Sequence, residues 1–184
     1  MIFREPVVHI RLLCYFYREK DYVIMIRPAT PEDAAALTEI YNHYILTTTV
    51  TFETEPLSRE QMRRRIEEIS AKGPYFVHES GGCTDGYCYA HRLGQRAAYE
   101  GSMELSLYLA PSSTGKGIGS ELMGKMIEEC RTRGYRALFC LVTDDNEASK
   151  ALCSRFGFER VGCLKAAGMK FGRPLDLGYY ELLL

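Results

Sequence analysis

No apolar run in this 184-residue sequence approaches the roughly 20 residues that span a bilayer as a helix, so an integral helical membrane protein is excluded. Neither charge dominates: 23 Lys plus Arg face 24 Asp plus Glu, a formal net charge of -1. That balance argues against a dedicated nucleic-acid binder, which carries a clear basic excess. No internal period exists, which removes collagen, coiled coil and solenoid. Tryptophan is absent. A disulfide framework is missing as well. Cys14, Cys83, Cys88, Cys130, Cys140, Cys153 and Cys163 are odd in number and scattered, several within apolar stretches such as Leu138 to Val142. They read as buried thiols in a reducing, cytoplasmic compartment. No metal is expected. His78, Cys83, Cys88 and His91 are suitable residue types for zinc, but Cys88 and His91 stand three apart in a predicted strand and point to opposite faces.

What is present is an ordinary globular composition, 46% hydrophobic and 26% charged, at a length that suits one core. Residues 1–24 stand apart as an N-terminal extension of unknown role. They lack the charged start, clean apolar stretch and small-residue cleavage site of a signal peptide. Either they add an element that covers part of the fold, or translation begins at Met25 and they are an upstream artefact. Residues 25–184 form a single domain.

Val23 to Arg27 reads as a strand, and Thr30-Pro31-Glu32-Asp33 opens a helix carrying Leu37, Ile40, Tyr41, Tyr44 and Ile45 at helical spacing. Thr47 to Phe52 is β-branched and expected to be extended. Ser58-Arg59-Glu60-Gln61 is a capping box for a second helix, on which Arg63, Arg64 and Arg65 form a solvated face paired with Glu60, Glu67 and Glu68. A hairpin turns at Gly81-Gly82, between strands at Tyr75 to Glu79 and Gly86 to His91. Met103 to Leu109 alternates like a strand. Gly119 to Arg133 is a helix, Arg136 to Thr143 a buried strand, and Asn146 to Phe156 a helix. Phe158 to Leu164 and Gly178 to Leu184 are the closing strands. This order makes a mixed α/β (α+β) domain.

The stretch richest in chemistry joins the Met103 strand to the next helix through Ser113-Thr114-Gly115-Lys116-Gly117-Ile118-Gly119-Ser120. Three glycines at alternate positions expose amide N–H groups at the positive helix end, a cradle for an anion, and Lys116 adds charge. A glycine-rich loop that merely turns is the plainer alternative. Lys116 is followed by Gly117 where a P-loop needs Ser or Thr, and the third glycine comes one residue early for a dinucleotide fingerprint.

This loop resembles the acetyl-CoA pyrophosphate loop of the GNAT superfamily of N-acetyltransferases. The family pattern Gln/Arg-x-x-Gly-x-Gly/Ala falls on Thr114-Gly115-Lys116-Gly117-Ile118-Gly119, with Thr114 in place of Gln or Arg. Asp145-Asn146-Glu147-Ala148-Ser149, Leu152 and Phe156-Gly157-Phe158 resemble the family's second cofactor element. Val50 to Pro56, Met103 to Tyr108 and Gly168 to Asp176 narrow the resemblance to the phosphinothricin acetyltransferase-like branch, whose members acetylate phosphinothricin, methionine sulfoximine or methionine sulfone. The resemblance implies a mostly antiparallel central sheet flanked by helices, with acetyl-CoA as cosubstrate at a splayed strand pair. It also implies a small-molecule amine as acceptor and a homodimer.

Acyl transfer to an amine needs a proton acceptor, stabilisation of the thioester oxygen and a proton for the departing thiolate. Glu104 is the candidate base, a carboxylate in an apolar strand that also matches the branch's carboxylate position; the alternative is an edge glutamate facing water. By resemblance, Leu107, Tyr108 and Leu109 offer backbone groups to the pantetheine arm. Gly115, Lys116, Gly117, Gly119 and Ser120, with Thr114 and Ile118 of the same loop, hold the pyrophosphate. Asn146 and Ser149 contact the pantetheine or its phosphate end, although Asn146 also suits a helix cap.

Cys153 stands where relatives place Tyr or His as general acid; a thiol can serve, or it is a small buried side chain and water serves. Phe52, Arg96 and Tyr99 are candidate substrate residues, Phe52 being equally readable as core. Gly94 and Leu93 replace the first arginine and an aromatic of the branch. Three functions follow: an N-acetyltransferase for an amino-acid analogue acting by direct attack in a ternary complex, the same chemistry on an aminoglycoside or protein N-terminus, or a non-catalytic acetyl-CoA sensor.

Overall fold

The computed structural model describes residues 24–184. The expected extension, residues 1–24, lies outside the described residues but for Ile24, which opens β1. The strands are β1 (Ile24–Pro28), β2 (Tyr75–Ser80), β3 (Cys83–Arg92), β4 (Ser102–Leu109), β5 (Ala137–Thr143), β6 (Glu159–Lys170) and β7 (Arg173–Leu183). The helices are α1 (Ala34–Thr47), α2 (Arg59–Ser70), α3 (Ile118–Thr132) and α4 (Glu147–Arg155). One sheet runs in the order β1-β2-β3-β4-β5-β7-β6. Among the described residues only β4 and β5 pair in parallel; all other neighbours are antiparallel.

Strand alternation divides the core into two layers. Met103 and Leu105 of β4 point to one face, where α3 buries Leu122, Met123 and Met126 against them. Burying each such side chain contributes about 1.5–3 kcal/mol. Glu104, Ser106 and Tyr108 point to the other face, covered by α1 and α2. There the Tyr108 ring lies 5.0 Å from Tyr41, 5.6 Å from Tyr44 and 5.4 Å from Tyr87.

The feature that positions the site is a break in the sheet. Ser102, Met103 and Glu104 of β4 register with Ala137, Leu138 and Phe139 of β5, and pairing then stops, although β4 runs on to Leu109 and β5 to Thr143. The two strands splay apart just past Glu104.

Three sequence expectations change. Thr47 to Phe52 is not extended as a unit: α1 continues through Thr47. The Thr47 hydroxyl donates to the His43 carbonyl at 2.6 Å and that of Thr48 to Tyr44 at 2.9 Å, so β-branched residues end a helix where no strand partner is offered. The closing strands are longer than Phe158 to Leu164 and Gly178 to Leu184. They meet at a tight turn whose central residues, Phe171 and Gly172, have φ of 51° and 73°. Arg63 and Arg64 pair with Glu67 and Glu60, but Arg65 leaves that face and binds Glu53 at 2.8 Å, with its guanidinium over Tyr41.

Candidate active site

The break in the sheet opens into two joined cavities. The outer one, about 580 Å³, is lined by Leu107, Leu109 and Tyr44, by Thr114, Gly115, Gly117, Gly119 and Ser120 of the glycine loop, and by Asn146, Ser149, Leu152 and Arg155 of α4 and its cap. The inner one, about 70 Å³, is lined by Ser106, Tyr108, Cys140 and Cys153 among others. Val50, Leu107, Asn146, Ser149 and Leu152 border both. Most of the expected cofactor residues therefore share one cleft.

The loop has the geometry its glycines suggested. Gly115 and Gly117 have φ of 73° and 88°, and Gly117 caps α3. A Cβ on either would meet nothing within 4 Å, so the space in front of the α3 N-terminus is open. An open space at the N-terminus of a helix, where the first amides have no intrahelical acceptor, fits a phosphate-bearing ligand. Ile118 is buried in the core under α3, so only its backbone belongs to the cradle. Lys116 is exposed and lines neither cavity.

Asn146 is a helix cap. Its Oδ1 accepts from the Ser149 N–H at 3.1 Å and its Nδ2 donates to the Ser149 hydroxyl at 2.8 Å. Arg155, at the end of α4, donates to the Ser120 hydroxyl at 3.0 Å and ties α4 to the start of α3. Arg155, Tyr44 and Val50 were missed from sequence. Nothing separates a last-turn arginine from any other until the helices are placed. Tyr44 is anchored by its hydroxyl, which donates to the Leu109 carbonyl at 2.7 Å.

Glu104 sits at the apex of the splay. Its side chain is 23% exposed, and burial pushes its carboxyl above the ordinary value of 4.5 while the neighbouring His91 draws it down. It lines neither cavity and lies on the α1–α2 face of β4. His91 is its cross-strand partner, with Nε2 3.9 Å from Oε1 of Glu104. Its Nδ1 lies 3.0 Å from the Arg92 carbonyl.

Cys153 is buried at the inner end of the cleft, which Cys140 lines beside it. The neighbouring Cys140 thiol lowers the Cys153 thiol below its ordinary value, against the opposing effect of burial. The Cys140 thiol is raised by the adjoining Cys153 and by its burial.

The substrate candidates lie outside the two cavities. The Phe52 ring packs on Gly168, where a Cβ would come within 2.6 Å of it, in a loop held by Lys170, whose Nζ donates to the Thr51 carbonyl at 2.8 Å. Arg96 and Tyr99 belong to the β3–β4 connection. A Cβ at Gly94 would lie 2.9 Å from the Tyr99 ring, so the glycine at 94 is matched to this ring position. Among the described residues no cluster of three His, Cys, Asp or Glu is placed to hold a metal, and no helix is long and apolar enough to cross a membrane.

A glycine cradle at a helix start, beside a sheet that splays after a carboxylate, is matched by a family. Residues 26–177 fit the model for the acetyltransferase (GNAT) domain. This chain belongs to the GNAT acetyltransferases. GNAT enzymes use acetyl-CoA as cosubstrate, and the chain is an acetyl-CoA-dependent N-acetyltransferase.

The phosphinothricin N-acetyltransferase of Streptomyces coelicolor is 34% identical over 162 residues, covering 86% of this chain and 95% of that protein. The L-methionine sulfoximine/L-methionine sulfone acetyltransferase of Salmonella typhimurium is 32% identical over 163 residues, covering 86% and 94%. The crystal structure of a GNAT phosphinothricin acetyltransferase from Sinorhizobium meliloti, in complex with acetyl-CoA, superposes with a TM-score of 0.85 at 34% identity, covering 88% of each chain.

Proposed function

We propose that the chain acetylates the primary amine of a small amino-acid analogue of the phosphinothricin or methionine sulfoximine/sulfone type, by direct attack within a ternary complex. The observation that carries the chemistry is Glu104, a largely buried carboxylate with a raised pKa at the apex of the splay. The similarity to relatives named for these acceptors supports the substrate class.

Acetyl-CoA supplies the activated acetyl group. Glu104 takes the proton that the acceptor ammonium must lose; its raised pKa makes it a better base than a solvated carboxylate. Past Glu104, the β4 backbone facing β5 has no strand partner among the described residues, so the amides of Leu107 and Leu109, which point away from β3, are free to meet the pantetheine arm and polarise the thioester carbonyl. Gly115, Gly117, Gly119 and Ser120 hold the pyrophosphate, with Arg155 as the nearby cation.

Cys153 gives its proton to the departing thiolate. The adjoining Cys140 thiol lowers its pKa and makes it a stronger acid than an isolated thiol. Cys153→Ala is expected to lower kcat by roughly tenfold with the acetyl-CoA KM unchanged. An unchanged kcat would assign the proton to water instead.

The proposal is tested by mass spectrometry of the purified protein with acetyl-CoA and phosphinothricin, methionine sulfoximine, methionine sulfone, an aminoglycoside and a peptide amine. Acetylated amino-acid analogue is the expected product. Product on the aminoglycoside or peptide alone would keep the chemistry and overturn the substrate class.

A further inference from the structure

We infer that His91 is a positioning and proton-relay residue that empties Glu104 after each turnover, passing the acceptor's proton from the carboxyl to bulk water. The inference rests on the assignment of Glu104 as base and extends it to the step that resets the enzyme.

The tautomer is fixed by geometry. The Arg92 carbonyl oxygen only accepts, so the His91 nitrogen 3.0 Å from it, Nδ1, carries the hydrogen. In the neutral ring Nε2 is then the bare nitrogen, and it is Nε2 that faces Glu104 Oε1, at 3.9 Å. A separation of this size in the ligand-free state closes to hydrogen-bond length with a small side-chain adjustment, as pairs of this kind commonly do when substrate binds.

The ring is held for this purpose. It stacks on Tyr89 with centroids 5.9 Å apart and planes 25° apart, and its backbone is in register with Glu104 across β3 and β4. The titratable groups that face the pair are Tyr89 on the strand of His91 and Cys140 on β5. His91 is 39% exposed whereas Glu104 is 23% exposed. A proton on Glu104 therefore has a more solvated neighbour one transfer away.

The transfer balances as follows. The Glu104 carboxylate takes a proton from the acceptor ammonium. The carboxyl O–H bond then breaks, its proton bonds to Nε2, and an imidazolium forms beside a restored carboxylate. The Nε2 proton leaves to water or buffer at the exposed edge, and the Nδ1–H tautomer on the Arg92 carbonyl returns. A desolvated base with a raised pKa holds its proton well, and an exit through His91 offsets that.

The test is steady-state turnover of methionine sulfone with acetyl-CoA at low buffer concentration, with and without added imidazole. His91→Ala is expected to lose about tenfold to a hundredfold in kcat with its acetyl-CoA KM unchanged, and to recover most of it as imidazole is raised, but not with sodium chloride at the same ionic strength. A merely structural role would give a loss that imidazole leaves untouched, and would overturn the relay. So would a wild-type kcat in His91→Ala. His91→Gln keeps a hydrogen-bond donor at this position but carries no proton, and is expected to show the same loss with an unchanged melting temperature. Glu104→Gln, run alongside, separates the two readings. If it is inactive and His91→Ala is normal, only the relay fails; if Glu104→Gln turns over normally, the base assignment fails and the relay with it.

Discussion

Glu104→Gln lowers kcat by about 10²–10⁴-fold and leaves the acetyl-CoA dissociation constant within a few-fold of wild type, as measured by turnover and by calorimetric titration. The substitution keeps the shape of the side chain and removes the only function proposed for it, acceptance of a proton. Glu104 lines neither cavity of the cofactor cleft, so binding does not depend on it.

The pH dependence follows from the same burial. Desolvation raises the carboxyl above 4.5, against the opposing effect of His91, so kcat/KM falls as the pH drops through that raised value. The sign for stability is the reverse of the usual carboxylate. The folded state holds the proton more tightly than the unfolded chain, so stability is lost as pH rises from 4.5 through the raised value. At pH 7–8 the glutamine variant therefore melts at or above the wild-type temperature while being nearly inactive. Normal activity in the variant would overturn the role of Glu104, and a clear loss of melting temperature would overturn the account of its burial.

Gly117→Asp is the second large effect, and it falls on binding. Gly117 has φ of 88°, and the space its side chain would enter is open. Aspartate tolerates the left-handed region better than most residues, so the cost in stability is about 1 kcal/mol. Its carboxylate would then stand in the anion cradle at the start of α3, where it repels the pyrophosphate and satisfies the amides in its place. Losing two such charge-assisted hydrogen bonds raises the acetyl-CoA dissociation constant by on the order of 10²-fold or more. Calorimetric titration and thermal melting on the same sample read the two effects separately. Tight binding by a folded Gly117→Asp protein would remove the loop from the cofactor site.

What the sequence revealed followed its local patterns. The glycine loop, the Ser58 capping box and the alternation of Met103 to Leu109 are local, and each appears where the pattern put it. Residues 171 and 172 turn a hairpin that the residue types do not advertise, because phenylalanine is a poor choice for positive φ. Arg65 read as one of three equivalent surface arginines and proved to be a partner of Glu53, which sits on a loop whose path no local signal gives.

The pairings within the site were hidden for the same reason. Glu104 was legible as a carboxylate in an apolar strand, but His91 beside it depends on the β3–β4 register. Cys140 and Cys153 were both visible as buried thiols, yet their contact requires α4 to be docked on β5. Arg96 and Tyr99 were named by resemblance, and their connection packs a ring against Gly94 where an arginine side chain would need that ring to move.

The early end of β4–β5 pairing has a mechanical corollary. A sheet is normally most easily opened at its edges, where strands have one neighbour. Here a seam runs through the centre, between a lobe of β1 to β4 and a lobe of β5, β7 and β6, joined in the sheet by three register pairs and outside it by the core beneath α3 and by side-chain ties such as Lys170 to Thr51 and Arg155 to Ser120. A ligand seated in that seam acts as a wedge that is also a clasp: it fills the gap and binds both sides of it. Slow amide exchange along the inner strands would then be a property of the loaded enzyme, and the empty protein would breathe from its middle outward.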